Sequence, residues 1–315
     1  MINNSQSLLT KTAINYVYQQ FFQRMGIFDF QSLGISMYYA KPYPTDSENV
    51  TVFIIPCKKE AWHTLLNREA NTLDWLPIHN VFPHGFPLPF HDSIPILFWG
   101  EGYENNSKHY AEKIDDKTVV FYADIIVATF FMLTRWEETI IPIRDQHERF
   151  PATASVAYKQ GFLDRPIVDE YTLILQAWLK VLLPQWNPTP PQFSVKLSHD
   201  KHDIYFQGIY FLAELSKQYT MDSAFYFKSS EWSEFDTGYN PCSPLIKACI
   251  ADLQEQGFEV GFHPSYYTLN NPTQLAKEKQ YMDMVLGQNK YGGRQHYLRF
   301  HVPNTWRHWE QLGLT

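Results

Sequence analysis

The sequence has no long hydrophobic run. The most apolar run, Ile125–Leu133, covers about half of the roughly 20 residues that a membrane-spanning helix needs, and Asp124 and Arg135 flank it. This run is therefore interpreted as a buried helix, and no membrane span is expected.

Cysteine is also scarce. The three cysteines, Cys57, Cys242 and Cys249, give an odd count without a Cys-x-x-Cys pair, which argues against a disulfide framework and a thiolate zinc site. We expect reduced, buried thiols. The first seven residues lack the basic region and the apolar core of a signal peptide, so a cytoplasmic location is expected.

Clustered positive charge is missing as well. Asp and Glu outnumber Lys and Arg by 33 to 26, the formal net charge is -7, and no stretch of basic residues forms a stripe. Because phosphate binding depends on clustered cations, nucleic acid is not expected as a partner. Aromatic residues make up 17% of the chain; they fit a large core or a sugar-stacking surface, and composition does not choose between these.

A proline-dense stretch at residues 184–191 predicts a boundary between two domains, because it cannot continue a helix. Residues 1–184 are expected to form an α/β domain of unassigned role. Its predicted elements are a helix at 8–25, buried strands at 50–56 and 95–100, a strand-to-helix segment at 119–138, and a helix at 168–183. Residues 76–95 and 144–151 are predicted as loops; the charges of the second loop form surface ion pairs or help to close a site.

Residues 192–315 show a more regular pattern. Strands are predicted at 193–198, 223–227, 258–262 and 295–301, each followed by a helix, which indicates a parallel sheet with right-handed crossovers. A closed barrel needs about eight strands, so this domain is expected to be an incomplete barrel at Thr315. The predicted fold class is α/β: an N-terminal α/β domain followed by a (β/α)-repeat, deformed-barrel-like domain. Its open sheet edge needs a cover, either the first domain or a second copy in a homo-oligomer.

The predicted strands of this second half end in side chains that can bind a metal or transfer a proton. Asp200, His202 and Asp203 follow the first strand, and His263 follows the third. Since the carboxyl ends of parallel strands meet at one edge, we expect one composite site. Imidazole and carboxylate groups are ligands of catalytic zinc and similar divalent ions, and a carboxylate beside the ion can act as a general base.

Arg294 directly precedes the fourth predicted strand, and His296 and Arg299 belong to it. On a strand, Arg294 and His296 face the same side and Arg299 the other. Arg299 either orients the base carboxylate through a bidentate contact or forms an ion pair at the end of the barrel.

These segments resemble the motifs of a known family. The sequences of residues 197–200 (LSHD), 259–266 (EVGFHPSY) and 294–300 (RQHYLRF) are similar to successive motifs of the polysaccharide deacetylase family, the NodB-homology group of carbohydrate esterases. Residues 130–138, 144–151 and 165–171 resemble its large bacterial branch, which carries an uncharacterised N-terminal domain. The resemblance spans about residues 119–314.

The resemblance implies a deformed (β/α) barrel and a divalent metal, expected to be zinc, that serves in removing acetyl groups from N-acetylated sugars. It implies that Asp200 is the base, that His263 binds the metal with His202 or Asp203, and that Arg299 orients the base. Tyr266, Arg294 and His296 are expected to bind the carbohydrate substrate.

The sequence departs from the family pattern in three places. His202 stands where the family has a second Asp ligand, Tyr267 stands where many members have a second His ligand, and the fourth and fifth motifs would lie beyond Thr315. Despite these departures, the function expected from the resemblance is that of a metal-dependent carbohydrate N-deacetylase. The alternative is a truncated, inactive relative that binds a glycan or a partner chain, and a metal phosphoesterase is a third hypothesis.

Overall fold

The computed structural model describes residues 8–27, 33–41, 49–86, 91–104, 108–189 and 192–314. Within these residues the chain is mixed α/β, as the sequence predicts. The helices are α1 (Lys11–Arg24), α2 (Ala61–Leu66), α3 (Ile125–Leu133), α4 (Glu137–Ile140), α5 (Val156–Lys159), α6 (Ile167–Leu182), α7 (Phe206–Gln218), α8 (Pro244–Glu255), α9 (Pro272–Leu286) and α10 (Asn304–Leu312). The strands are β1 (Ile35–Tyr39), β2 (Val50–Ile54), β3 (Asp74–Pro77), β4 (Ser93–Ile96), β5 (Ala111–Lys113), β6 (Thr118–Phe121), β7 (Lys196–Lys201), β8 (Asp222–Phe227) and β9 (Glu259–Phe262).

The chain divides into two compact units. The first contains Met1–Ile141 and Ala152–Gln192, and the second contains Pro142–Pro151 and Phe193–Thr315. The charged segment Pro142–Pro151 thus belongs with the second half, although it interrupts the first along the sequence. No helix within the described ranges is long and apolar enough to cross a bilayer.

The first unit is built around a four-stranded sheet in the order β1-β2-β6-β5. Strands β1, β2 and β6 are parallel, and β5 runs antiparallel to β6. The strand β2 is rich in β-branched and aromatic residues and is buried along most of its length, as expected for an inner parallel strand covered on both faces. The segment 76–95, predicted as loop, includes the ends of β3 and β4, which pair as an antiparallel ribbon.

Asp124 organises the start of α3 in this unit. Its carboxylate accepts hydrogen bonds from the backbone N–H groups of Ile126 and Val127, at 3.1 and 3.0 Å. It also accepts bonds from the Tyr39 hydroxyl at 2.7 Å and the Cys57 N–H at 2.8 Å. Asp124 is buried, so these bonds join the helix to the ends of two neighbouring strands without contact with water.

We expect Asp124→Ala to lower the free energy of unfolding by about 2–4 kcal/mol, because it removes a helix cap and leaves buried donors without an acceptor. Urea unfolding followed by circular dichroism measures this loss. Asp115→Ala is the matched control: its carboxylate accepts a bond from the Lys117 N–H in an exposed turn, and the expected loss is about 0.5 kcal/mol or less. Equal losses for the two variants would contradict the assigned role.

The second unit contains a three-stranded parallel sheet in the order β7-β8-β9. Helices α7 and α8 connect these strands, and α8 and α9 each begin at a proline, Pro244 and Pro272, as the sequence predicts. Buried residues of β8, β9, α8 and α9 form the core, including Phe225, Phe227 and Phe262. The covering of a sheet edge by a second copy stays a prediction.

The predicted strand at 295–301 is wrong. The chain makes one parallel bridge to β9 at Gly293 and then turns, with a short 3-10 helix at His296–Leu298. His296 and Arg299 are both buried, and strand alternation would send these two side chains to opposite faces. The turn places both in the interior, where they bond to neighbouring loops.

Candidate functional site

The carboxyl ends of β7, β8 and β9 border a cleft of about 670 Å³. Asp200 and His202 come from the end of β7, His263 follows β9, and the loop after β8 forms one wall. The cleft is lined by Asp200, His202, Trp232, Ser233, Glu234, Phe235, Asp236, Thr237, His263, Arg294, Gln295, His296, Tyr297 and Leu298. The structure therefore brings Asp200, His202 and His263 to this edge of the sheet, whereas Asp203 does not line the cleft.

Three histidines converge in the cleft. One nitrogen from each of His202, His263 and His296 lies within 4.8 Å of the other two. The closest pair is His263 Nε2 and His296 Nδ1, at 3.1 Å. His263 and His296 are buried, whereas His202 is exposed at the mouth of the cluster.

Two backbone carbonyl groups fix the tautomers of the buried pair. His263 Nδ1 lies 2.6 Å from the carbonyl oxygen of Arg294, and His296 Nε2 lies 2.8 Å from that of Phe235. Because a carbonyl oxygen only accepts hydrogen bonds, each of these nitrogens carries a proton. In the neutral rings, the lone pairs of His263 Nε2 and His296 Nδ1 then point toward each other.

Burial keeps these rings neutral. Burial lowers the pKa of His263 to about 3 and the pKa of His296 to about 4. Partial desolvation of the His202 ring, which keeps contact with solvent, also lowers its pKa. Two neutral nitrogens that face each other at 3.1 Å cannot share a hydrogen bond, and a cation between them removes the repulsion. Their separation is close to the about 3.3 Å between two nitrogen ligands of a tetrahedral zinc ion with ordinary zinc–nitrogen distances.

A buried ion pair supports this cluster from the loop after β8. Lys228 Nζ lies 2.6 Å from Asp236 Oδ1, and both side chains are almost completely buried. Asp236 also accepts bonds from the Tyr266 N–H and the Ser233 hydroxyl. Its Oδ1 lies 3.5 Å from His296 Nε2. The pair therefore fixes the loop whose Phe235 carbonyl orients His296.

The sequence prediction missed Lys228 and Asp236. The available signal was a lysine directly after the apolar end of β8, but a lysine at a strand end is usually solvated. Its partner is eight residues further along, in a loop whose path the sequence pattern does not determine.

Asp200 lies in the cleft and is held by Arg294, not by Arg299. Asp200 Oδ2 lies 3.3 Å from Arg294 Nε, and Arg294 also donates to the Ser198 hydroxyl. Asp200 Oδ1 is buried and has no hydrogen-bond partner among the described residues. One carboxylate oxygen is thus fixed while the other keeps its accepting capacity.

Arg299 does not contact Asp200. It forms an ion pair elsewhere, which is the second of the two roles considered for it in the sequence analysis. Its guanidinium pairs with Glu148, donates to the carbonyl oxygens of His147 (2.9 Å) and Tyr266, and lies 3.7 Å above the Tyr266 ring. Arg299 thereby holds the segment Pro142–Pro151 in the second unit.

Two other predicted residues lie outside the cleft lining. Tyr266 is buried, stacks on Phe235 at 4.1 Å, and its hydroxyl lies 3.1 Å from His147 Nδ1. Asp203 is exposed and is not part of the three-histidine group. His296, predicted to bind substrate, instead belongs to that group.

The turn that carries His296 also has an unusual backbone. Tyr297 and Leu298 both have a φ of 55°, in the left-handed region that side chains with a Cβ rarely adopt. Both residues line the cleft. Strain of this kind concentrates at functional sites, where the surrounding contacts hold it in place.

Comparison with known proteins assigns the family through the N-terminal part of the chain. Residues 6–184 match the model of DUF7033, a family of unknown function. The match covers more than half of the chain, so the protein belongs to this family. No curated protein and no solved structure matches the chain. The residues of the cleft lie beyond the matched range.

We expect the protein to bind about one zinc ion per chain through His202, His263 and His296. His263→Ala or His296→Ala should weaken binding at least about 100-fold, since even loss of a group that supports a ligand costs about 10- to 100-fold. Competition with a chromogenic chelator measures the affinity.

Asp203→Asn and His308→Ala are the controls for this measurement, because both residues lie outside the three-histidine group. We expect both to bind zinc as the wild type does. A large loss in Asp203→Asn together with none in His296→Ala would restore the ligand set predicted from the sequence.

We expect Arg299→Ala to expose residues 142–151 to trypsin, with cleavage after Arg144 or Arg149 about tenfold faster, because the segment loses its charged hydrogen bonds. Mass spectrometry of a digestion time course identifies the cut. Arg307→Ala, which removes an exposed arginine from α10, is the control. Equal cleavage rates for the two variants would show that Arg299 does not hold the segment.

Proposed function

We propose that the protein is a metal-dependent hydrolase that removes acetyl groups from N-acetylated sugars or a polysaccharide precursor. The observation that carries the proposal is the convergence of two lone pairs, on His263 Nε2 and His296 Nδ1, in a cleft that the Asp200 carboxylate also lines. These are the parts that metal-assisted hydrolysis requires: neutral nitrogen ligands, and a base within the same cleft.

The three histidines would hold the ion. Their neutral state favours ligation, because no proton has to leave either buried ring before a metal binds. A divalent ion bound there supplies Lewis-acid polarisation of the amide carbonyl and a more acidic water molecule. The carbonyl groups of Arg294 and Phe235 keep the two buried rings in the orientation that ligation needs.

Asp200 is the proposed general base. The Asp200 carboxylate would accept the proton of the attacking water, while the ion pair between Arg294 Nε and Asp200 Oδ2 keeps the carboxylate at the cleft. Arg294 thus takes the orienting role that the family resemblance implied for Arg299. Because Arg294 also lines the cleft, part of its guanidinium is available to a substrate oxygen.

The substrate class is supported by the motif resemblance and by the lining of the cleft. The three segments that resemble polysaccharide deacetylase motifs, residues 197–200, 259–266 and 294–300, contribute Asp200, His263, Arg294 and His296. Polar groups dominate the lining, and the exposed Trp232 stands at its rim. A hydroxyl-rich ligand with an amide group suits such a cleft.

We expect Asp200→Asn to lower kcat for acetate release from N-acetylglucosamine oligomers by about 10²- to 10⁴-fold, the usual contribution of a general base. Zinc content should not change, because Asp200 is not a ligand. Arg294→Lys should give a smaller loss, since a lysine keeps the charge but not the planar donor geometry. An enzyme-coupled acetate assay measures each rate.

Asp203→Asn is the matched control, and it should keep wild-type activity. No acetate release by zinc-loaded wild-type protein from any N-acetylated saccharide would refute the proposed activity. Full activity of Asp200→Asn would refute the assignment of the base.

A further inference from the structure

Two more cavities adjoin the loop after β8, on the side of α9. Their volumes are about 400 and 290 Å³. The two cavities share six lining residues: Ser230, Glu231, Trp232, Gln274, Lys277 and Glu278. The region that these six residues line is here called the Trp232 pocket. Trp232 also lines the three-histidine cleft, so one residue borders all three spaces.

Trp232 presents its ring to solvent from a fixed backbone. The residue is 78% exposed, yet its loop is closely packed. A Cβ on Gly238 would come within 2.1 Å of the Trp232 backbone nitrogen, so only glycine lets the two arms of the loop approach this closely. The buried pair of Lys228 and Asp236 holds the same loop from below. The loop therefore fixes the backbone from which the exposed ring projects.

The polar groups of the pocket have capacity for a ligand. The Ser230 hydroxyl is buried and has no hydrogen-bond partner in the part of the chain that the structure describes, which is uncommon because an unpaired buried hydroxyl costs free energy. Ser230 as a whole is 5% exposed. Glu231 and Lys277 are exposed, and neither has an ion pair within the described ranges.

The charges of the pocket favour a neutral ligand. One cation, Lys277, stands against two carboxyl groups, Glu231 and Glu278. Glu278 is buried and already accepts bonds from Ser265 and Gln274. Phosphate ligands need an excess of donors and positive charge, which this pocket lacks. A pyranose ring has an apolar C–H face for an aromatic ring and a rim of hydroxyl groups for serine, amide and carboxylate partners.

We propose that the Trp232 pocket binds a neutral sugar ring of the same saccharide chain that places another ring in the three-histidine cleft. The pocket deepens the proposed function and rests on it for the identity of the ring in the cleft. The substrate is then an oligosaccharide or polysaccharide, and monosaccharides bind with lower affinity.

The test is the dependence of binding on saccharide length. All proteins carry Asp200→Asn, so that turnover is slow on the timescale of calorimetric titration of the zinc-loaded full chain. N-acetylglucosamine and its linear tetramer are the probes. The tetramer should bind at least about tenfold more tightly than the monomer, because a second ring is stacked and desolvated.

Two variants separate the pocket from the cleft. Trp232→Ala should weaken tetramer binding about tenfold. The double variant Glu231→Ala with Lys277→Ala removes side chains that line the pocket but not the cleft, and it should weaken the tetramer at least about threefold while leaving the monomer unchanged. Trp306→Ala removes an exposed tryptophan of α10 and serves as the matched control, with no change expected.

The outcomes distinguish the two proposals. Tetramer binding that depends on Trp232, together with no acetate release by the wild type, would keep the saccharide pocket and refute the activity. Acetate release with equal kcat/KM for monomer and tetramer, unchanged by Trp232→Ala, would keep the activity and refute the pocket. Absence of saturable tetramer binding, or an equal loss in Trp306→Ala, would also overturn the pocket.

Discussion

The chemistry of the cleft depends on the hydrogen bonds from two buried imidazole rings to the carbonyl groups of Arg294 and Phe235. Each bond removes one ring nitrogen from further use and directs the other toward the neighbouring ring. The other neutral tautomer of either ring would replace an accepting nitrogen in the cluster by a donor. The carbonyl groups belong to backbone in well-packed loops, so the orientation costs no side-chain entropy when a ligand arrives.

The orientation of the two rings depends on loops that are held in one position. The Phe235 carbonyl is useful only if its loop is rigid, and the almost completely buried pair of Lys228 and Asp236 provides that rigidity. A buried ion pair is a poor source of net stability, because desolvation offsets much of the attraction. Its position, with Asp236 Oδ1 3.5 Å from His296 Nε2, gives it a role in geometry instead. The same loop carries Trp232, so one structural support serves both the cleft and the neighbouring pocket.

The sequence predicts the sheet of the second unit well and the turn after it poorly. Strands β8 and β9 are short, largely apolar segments between helices with clear start and stop signals, and local pattern is enough to find them. Strand β7 is mostly polar, and it begins three residues later than the predicted strand at 193–198. The same reasoning brought Asp200, His202 and His263 to one edge. Residues 295–301 carry an equally strand-like pattern, but their conformation is set by what His296 and Arg299 contact. Those partners, Phe235 and Glu148, are 61 and 151 residues away along the chain.

The exchange of roles between Arg294 and Arg299 follows from the same turn. On a continuous strand the two arginines point to opposite faces, and the sequence left open which of two tasks Arg299 performs. In the turn, Arg294 is the last residue that still follows the sheet, since its N–H bonds to the Phe262 carbonyl, and its side chain therefore reaches Asp200 across the strand ends. Arg299 comes after two residues with positive φ, which redirect the chain toward Glu148. The backbone conformation of Tyr297 and Leu298 thus separates the arginine that can act on the base from the one that holds the segment Pro142–Pro151.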